Sequence, residues 1–183
     1  MLAKKKSEVN ISYLKNLIRS IHNYPKQGVV YRDITTLIKD KDAFHLLIDM
    51  IIENTNNDDI DVIVGIEARG FIIGSAIAYK MKKGFVPIRK KNKLPYKTIH
   101  EDYELEYGID TLEIHTDSII LGQKILLIDD LLATGGTTIA AAKLINKLGG
   151  DIKIISYIIE LLELNGRKLL TEYCHDIRSL IQY

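Results

Sequence analysis

The sequence predicts an α/β fold built on a doubly wound, mainly parallel sheet. Three observations lead there. Aliphatic runs at residues 60–66 (IDVIVGI), 125–128 (ILLI) and 151–159 (DIKIISYII) read as strands buried on both faces. Helical patterns alternate with these runs, which is the order that parallel crossovers need. Two of the strands lead into small-residue turns, at 67–70 and 130–137, and a sheet of this kind gathers its ligands at the carboxyl ends of its strands.

Taken in order, Ile11, Leu14, Leu17, Ile18 and Ile21 recur at helical spacing and predict an amphipathic first helix. Residues 24–35 (YPKQGVVYRDIT) follow, with Pro25 and Gly28 marking an irregular lead into a short β segment. There Val30, Tyr31 and Arg32 set an aromatic ring beside a guanidinium. A ring can stack on a flat heterocycle, and extended backbone can read that heterocycle's edge. Asp40 or Asp42 is placed to cap a helix whose buried stripe is Phe44, Leu47, Ile48, Ile51 and Ile52. Residues 54–59 read as loop.

The strand at 60–66 runs into the turn Glu67-Ala68-Arg69-Gly70, and 71–83 continues as a helix rich in small residues. FVPI at 85–88 is a third strand, ending in the basic run RKKNK. Two or more cations beside a phosphate-binding turn suit a pyrophosphate. Residues 92–104 are polar, contain Pro95 and lack periodicity, so a mobile loop is expected. YELEYGIDTLEI then alternates as a hairpin around Gly108 and Asp110. After the 151–159 strand, residues 165–173 fit a short helix and 177–183 a last strand.

The chain is organised around ILLIDDLLATGGT, residues 125–137. The four aliphatic residues make the strand, and Asp129 and Asp130 stand at its carboxyl end. Thr134, Gly135, Gly136 and Thr137 form the turn, and IAAAKLINKL continues as a helix. Strand, tight turn and helix together present backbone N–H groups and a positive helix end to a phosphate. The glycines let that phosphate approach the backbone, and the two threonines add hydroxyl donors. The aspartates would repel the same phosphate, so they suit hydroxyls or a hydrated cation. A ligand with a phosphate at one end and sugar hydroxyls at the other satisfies both halves.

Composition narrows the class. A chain of 183 residues with 46% hydrophobic and 27% charged residues can form one globular domain with a substantial core. A net charge of +1 gives no sign of nucleic-acid or membrane partners. Cys174 is the single cysteine, which excludes an intramolecular disulfide and a thiolate metal cluster. No apolar run approaches the roughly 20 residues that span a bilayer, and Lys15 and Arg19 interrupt any signal-like core. A cytoplasmic location is the expectation.

The thirteen-residue string resembles the 5-phosphoribosyl-1-pyrophosphate (PRPP) signature of the type I phosphoribosyltransferases. With GVVYRDIT, GIEARGF, IRKKNKLP, LEYG and DDLLATGGT in that order, the chain from about Ile18 onward is similar to the adenine-using branch of that family. The resemblance implies one domain over 1–183, with a small hood and base-binding segment within 1–35 and a flexible loop and hairpin at 92–110. It implies a reaction: adenine and PRPP give AMP and pyrophosphate, with Mg²⁺, in a homodimer. Asp129 and Asp130 would hold the ribose hydroxyls, directly or through the metal's water shell, and Ala133, Thr134, Gly135, Gly136 and Thr137 would cradle the 5-phosphate. Arg69 would take the pyrophosphate, helped by Arg89 or Lys93, which the implied dimer could supply from across a subunit boundary. Tyr31 would stack on adenine while the Val30 backbone and Arg32 read its edge. Glu106 would handle the base's imidazole proton and Tyr107 would pack over the ribosyl-pyrophosphate. The same resemblance implies a cis peptide between Glu67 and Ala68.

Departures from the pattern are few. Tyr31 stands where phenylalanine is more frequent, Ala68 where serine is, and YKTIHED at 96–102 matches no pattern of the family. Two alternatives share the motifs: transfer to hypoxanthine or xanthine, and a non-enzymatic PRPP-sensing regulator. The second needs a nucleic-acid surface, for which the charge balance leaves little room. A P-loop NTPase is excluded because no lysine follows the GGT.

Overall fold

The first helix ends sooner than its apolar spacing suggests. In the computed structural model α1 spans Leu2–Leu17, and the chain turns at once into strand β1, Arg19–His22. Ile21 therefore sits in a strand, opposite Tyr31 of β2, Val30–Asp33, in an antiparallel pair. The cause is a partner distant in sequence. The Arg19 guanidinium donates to Asp33 across the ladder from Nε at 3.1 Å and Nη2 at 2.5 Å, a contact that helical periodicity cannot register.

The structure describes residues 2–53, 55, 59–105 and 108–183 and divides into two compact units, Met1–Asn54 and Thr55–Tyr183. In the first unit a single turn, α2 (Thr35–Ile38), follows β2, and then comes α3 (Lys41–Glu53). Asp40 is the cap of α3: its Oδ1 accepts the amides of Asp42 at 3.0 Å and Ala43 at 2.9 Å. Ala43, Leu47, Ile48, Met50 and Ile51 are its buried residues, while Phe44 and Ile52 lie at the margin of the stripe.

The second unit holds strands β3 (Val62–Ile66), β4 (Gly84–Lys90), β5 (Thr98–Leu105), β6 (Gly108–His115), β7 (Lys124–Leu132), β8 (Asp151–Glu160) and β9 (Ile177–Gln182). They form one sheet in the order β5-β6-β4-β3-β7-β8-β9. The five strands from β4 to β9 in that order are parallel, and the β5–β6 hairpin joins the β4 edge antiparallel. Helices α4 (Arg69–Met81), α5 (Gly136–Lys147) and α6 (Gly166–Leu170) complete the unit.

Strand alternation assigns the two faces. Val62, Val64, Ile66, Ile125 and Leu127 pack in one core with Ala140, Ala141, Leu144 and Ile145 of α5. The intervening Ile63, Leu126 and Ile128 point to the other face and are just as buried. There α4 lies so close that a Cβ at Gly70 would fall 2.8 Å from the Ile128 carbonyl oxygen. Helices on both faces of a mainly parallel sheet are the doubly wound architecture the sequence predicts.

Two expectations need correction in this unit. Residues 98–105 are strand β5, paired along their length with β6, where a loop was expected over 92–104. The inward positions of β5 include Glu101 and Tyr103, which disguise the period-two pattern. Glu101 is neutralised by Lys147 of α5, and Tyr103 packs beside the core. Second, β7 does not stop at Ile128; it continues through both aspartates to Leu132, with Asp129 opposite Tyr157 and Leu131 opposite Ile159. Among the described residues no helix is long and apolar enough to cross a membrane.

Candidate active site

The extension of β7 fixes where its acids point. Continuing the alternation places Asp130 on the face of α4, and Arg69, the first residue of that helix, meets it there. Arg69 Nε donates to Asp130 Oδ2 at 2.5 Å, and Asp130 is only 5% exposed. Asp129 Oδ1 accepts the Asp130 amide at 2.8 Å and lies close to Gly70 of α4, 3.3 Å from where a Cβ there would stand. Burial, and then the neighbouring Asp130 carboxylate, hold the Asp129 carboxyl well above the usual carboxylate range. Such a group is relieved by a cation or by hydroxyl donors.

A stability consequence follows from the sign of that shift. With its carboxyl raised, Asp129 holds its proton to higher pH in the native state than in the unfolded chain, whose ordinary value is near 3.8, so this group costs stability as pH rises above that value. Asp129→Asn keeps the acceptor for the Asp130 amide and removes the titration. The variant is expected to melt above the parent at pH 7, with the gap closing as pH falls toward 4, as thermal scans across that range would measure. A gap independent of pH would show that Asp129 is an ordinary carboxylate.

Beyond β7, Ala133, Thr134 and Gly135 make the turn and α5 starts at Gly136. Gly135 has φ of +89°, a conformation that side chains disfavour. It also touches α6: a Cβ at Gly135 would lie 3.2 Å from the Gly166 oxygen, and one at Gly166 would lie 2.3 Å from the Ala133 oxygen. The turn is thus braced from behind by the start of α6. That helix is itself fastened, because Arg167 donates to both Glu160 oxygens at 2.8 and 2.5 Å and to the Ile177 carbonyl at 2.6 Å. The Arg167 bonds hold the Glu160 carboxyl below the ordinary range, against the opposing effect of burial. Inside α5, the buried Thr138 hydroxyl accepts from Tyr157 at 2.8 Å, while Thr137 lines the opening and Thr134 the recess beside it.

These parts surround one cleft of about 430 Å³ at the carboxyl edge of the sheet. Its walls are the turn Glu67-Ala68-Arg69, Lys90, Tyr103, the stretch Asp129–Leu131, Ala133 and Thr137. A smaller recess opens beside it within the turn, lined by Ala133 to Thr138 together with Asp129 and Leu131. The sequence-predicted residues Arg69, Asp129, Asp130, Ala133, Thr134, Gly135, Gly136 and Thr137 are therefore brought together. The peptide between Glu67 and Ala68 is cis, as the resemblance implies, and Tyr24–Pro25 is cis as well.

Arg89 and Lys93 stand differently. Arg89 grips the Glu67 carboxylate from Nε at 3.2 Å and Nη2 at 3.1 Å and donates to the Lys93 carbonyl at 3.0 Å. Burial would raise the Glu67 carboxyl, yet Arg89 and the Lys90 amide bring it below its usual range. Arg89 thus shapes the turn, and it does not line the cleft among the described residues. Val30, Tyr31 and Arg32 belong to the N-terminal unit. There Tyr31 meets Tyr24 edge to face at 5.3 Å, and Arg32 Nη1 donates to Ser20 Oγ at 2.5 Å. Glu106 and Tyr107 lie outside the described residues.

Three residues of the site escape the sequence reading. Tyr103 falls in a stretch read partly as loop. Lys90 is one of several cations in RKKNK, whose order alone does not say which faces the cleft. Gly166 carries no local signal, since its contact with Ala133 and Gly135 exists only in the fold.

Residues 35–178 match the family model described as "Phosphoribosyl transferase domain". The chain is 54% identical over 170 residues to an adenine phosphoribosyltransferase of Brachyspira hyodysenteriae, covering 93% of this chain and 99% of the relative. It is 51% identical over 170 residues to the adenine phosphoribosyltransferase of Thermotoga neapolitana, with the same coverage. Among solved structures, the adenine phosphoribosyltransferase of Thermoanaerobacter pseudethanolicus superposes with a TM-score of 0.90 at 46% identity, covering 94% of this chain and 99% of that one. The Saccharomyces cerevisiae enzyme, solved with an imino-altritol bisphosphate and adenine, gives a TM-score of 0.86 at 32% identity, covering 94% of this chain and 99% of that one.

Proposed function

The chain belongs to the adenine phosphoribosyltransferase family, and from that membership we infer that it transfers the 5-phosphoribosyl group of PRPP to adenine, giving AMP and pyrophosphate in purine salvage. The observation that carries the reading is the single cleft in which an acidic pair, a glycine-bearing helix start and an arginine converge. Each part suits one portion of PRPP: the helix start the 5-phosphate, Asp129 and Asp130 the ribose hydroxyls, Arg69 the pyrophosphate.

The donor set fits magnesium carried by the substrate. Among the described residues no group of three acids, histidines or cysteines gathers to cage a metal. Two adjacent carboxylates, one bonded to arginine, suit instead a hydrated ion held mainly by phosphate oxygens, as Mg²⁺ prefers. Asp129 and Asp130 would reach it through water or the ribose hydroxyls. When bound, it neutralises charge on the departing pyrophosphate.

The protein's own groups have separate tasks. The peptide amides at the start of α5 and the Thr134 and Thr137 hydroxyls fix the phosphate, which holds the anomeric carbon in place for attack by adenine. Arg69 draws off negative charge as the carbon–oxygen bond to pyrophosphate breaks, with Arg89 or Lys93 contributing cationic charge nearby. Glu106 is assigned to the imidazole proton of the base and Tyr107 to covering the ribosyl-pyrophosphate. The reading also includes a homodimer, supported by family resemblance, and a cytoplasmic location, supported by the lack of a signal-like core in the sequence. One assay tests the reaction: AMP formation from adenine and PRPP, with guanine, hypoxanthine and xanthine as controls. No AMP from adenine would overturn it.

In this reading Tyr31 stacks on adenine and Arg32 with the Val30 backbone orients it. Tyr31→Ala is expected to lose roughly 1–3 kcal/mol of adenine binding, the scale of base stacking on an aromatic. Tyr31→Phe keeps the ring and is expected to stay near the parent. Adenine titrations of both variants measure this, and parental affinity in both would place the base elsewhere.

A further inference from the structure

The turn before α5 rests on a second stretch of backbone. An ideal Cβ on Gly166 would lie 2.3 Å from the Ala133 oxygen, 2.8 Å from the Thr134 carbonyl carbon and 3.0 Å from the Gly135 nitrogen. Three consecutive residues of the turn are therefore in contact with the first residue of α6. Among the described residues neither Gly166 nor Arg167 lines the cleft or the recess beside it. Whatever α6 does for a ligand must pass through the turn.

Helix α6 cannot hold that place by itself. It has five residues, fewer than an isolated helix needs, and no side chain caps its start at Asn165. Its position comes from Leu170, which is fully buried, and from Arg167. Arg167 spans two strands. On β8 it donates from Nε to Glu160 Oε1 at 2.8 Å and from Nη2 to Glu160 Oε2 at 2.5 Å. On β9 it donates from Nη1 to the Ile177 carbonyl at 2.6 Å and from Nη2 to Ser179 Oγ at 3.2 Å. The Ser179 hydroxyl in turn donates to Glu160 Oε2 at 2.5 Å. Glu160 is 3% exposed and stands opposite Leu132, the last residue of β7. The next amide, of Leu161, donates to the Leu132 carbonyl at 2.9 Å, so the same frame fixes the residue from which the turn departs.

A phosphate held by backbone amides depends on where those amides point, and supporting groups must keep such a site within about 0.5 Å of its productive geometry. A guanidinium suits the task, because its planar fork engages both carboxylate oxygens and still offers donors to a carbonyl and a hydroxyl. Resting on the PRPP reading of the turn, we propose that Arg167 is a positioning residue for the 5-phosphate: with Glu160 and Ser179 it holds Gly166 against residues 133–135 and so fixes the amides that the phosphate meets.

AMP and adenosine differ only in the 5-phosphate, so the ratio of their affinities isolates what the turn contributes. Both are titrated by calorimetry into the parent, Arg167→Lys and Ser179→Ala, beside thermal melts. Arg167→Lys keeps a cation for the buried Glu160 but has too few donors for four acceptors. Its preference for AMP over adenosine is expected to fall about tenfold, the lower end of what loss of an orienting partner costs at metal sites. Ser179→Ala removes a hydroxyl and no charge; its preference falls in the same direction by less, and it carries the test if Arg167→Lys does not fold. A parental preference in the folded variants overturns the positioning role even where melting falls, because a merely structural residue moves stability alone. Equal weakening of both ligands overturns it as well. Either result leaves the reading of the turn standing, provided the parent prefers AMP. A parent without that preference overturns the reading and the positioning role with it.

Discussion

Arg69→Ala is expected to cut turnover with PRPP by about 10²-fold or more, since truncating one partner of a hydrogen-bonded charge contact costs about 2–5 kcal/mol. Two losses combine. The pyrophosphate leaving group loses the guanidinium assigned to it, and Asp130, 5% exposed, loses the cation that now accepts its proximity. Breaking a fully buried pair costs about 3–5 kcal/mol. The Arg69 side chain is 35% exposed, however, and solvent screening reduces the stability loss to about 1–2 kcal/mol. Activity should therefore fall much further than stability. Arg69→Lys is expected to lie between, because an ammonium keeps the charge but loses the planar fork. Steady-state assays beside thermal melts separate the two losses, and an Arg69→Ala protein that turns over PRPP normally would place the pyrophosphate elsewhere.

Gly135→Val and Gly136→Val are both expected to abolish PRPP binding, for different reasons that a melting curve tells apart. Gly135 sits at φ of +89° with the Gly166 oxygen 3.2 Å from any Cβ it might carry. A β-branched residue there is strained twice, by its own backbone and by α6, so the turn must deform and stability falls with binding. At Gly136 a Cβ would meet nothing nearer than the Glu104 oxygen at 3.5 Å, an ordinary contact. The Gly136→Val protein should melt close to the parent while its side chain occupies the space a phosphate needs. Calorimetry with PRPP reads the binding; normal affinity in the Gly136 variant would remove this turn from the site.

The comparison of those two glycines shows what the sequence can reveal. The string at 125–137 announces a phosphate turn because strand, glycines and helix are contiguous, and local geometry decides their use. Nothing contiguous says which glycine bears the constraint, since the constraint comes from Gly166 some thirty residues on. Strands β3, β7 and β8 were legible because burial on both faces leaves long aliphatic runs. Strand β5 was not, because its inward positions are a tyrosine and a carboxylate that find partners in α5 and β6. The early end of α1 was hidden for the same reason: Arg19 answers to Asp33, not to its helical neighbours. Lys90 and Tyr103 joined the site only once the hairpin was seen to close beside the turn.

The polar run that concealed β5 has a second use, set by its place in the sheet. β5 is an outermost strand, and an outermost strand offers unpaired backbone groups to any other chain in solution. His100, Asp102 and Glu104 are its exposed residues, one on every second position. Polar side chains at that spacing make the ribbon a poor template for a foreign strand, by the cost of stripping water from them. A chain that must keep a hairpin beside its substrates, and so cannot bury that hairpin's rim under a helix, is protected there by polar side chains instead. Replacing those three residues with apolar ones would leave the cleft's lining untouched and make the molecule prone to fibrous self-association.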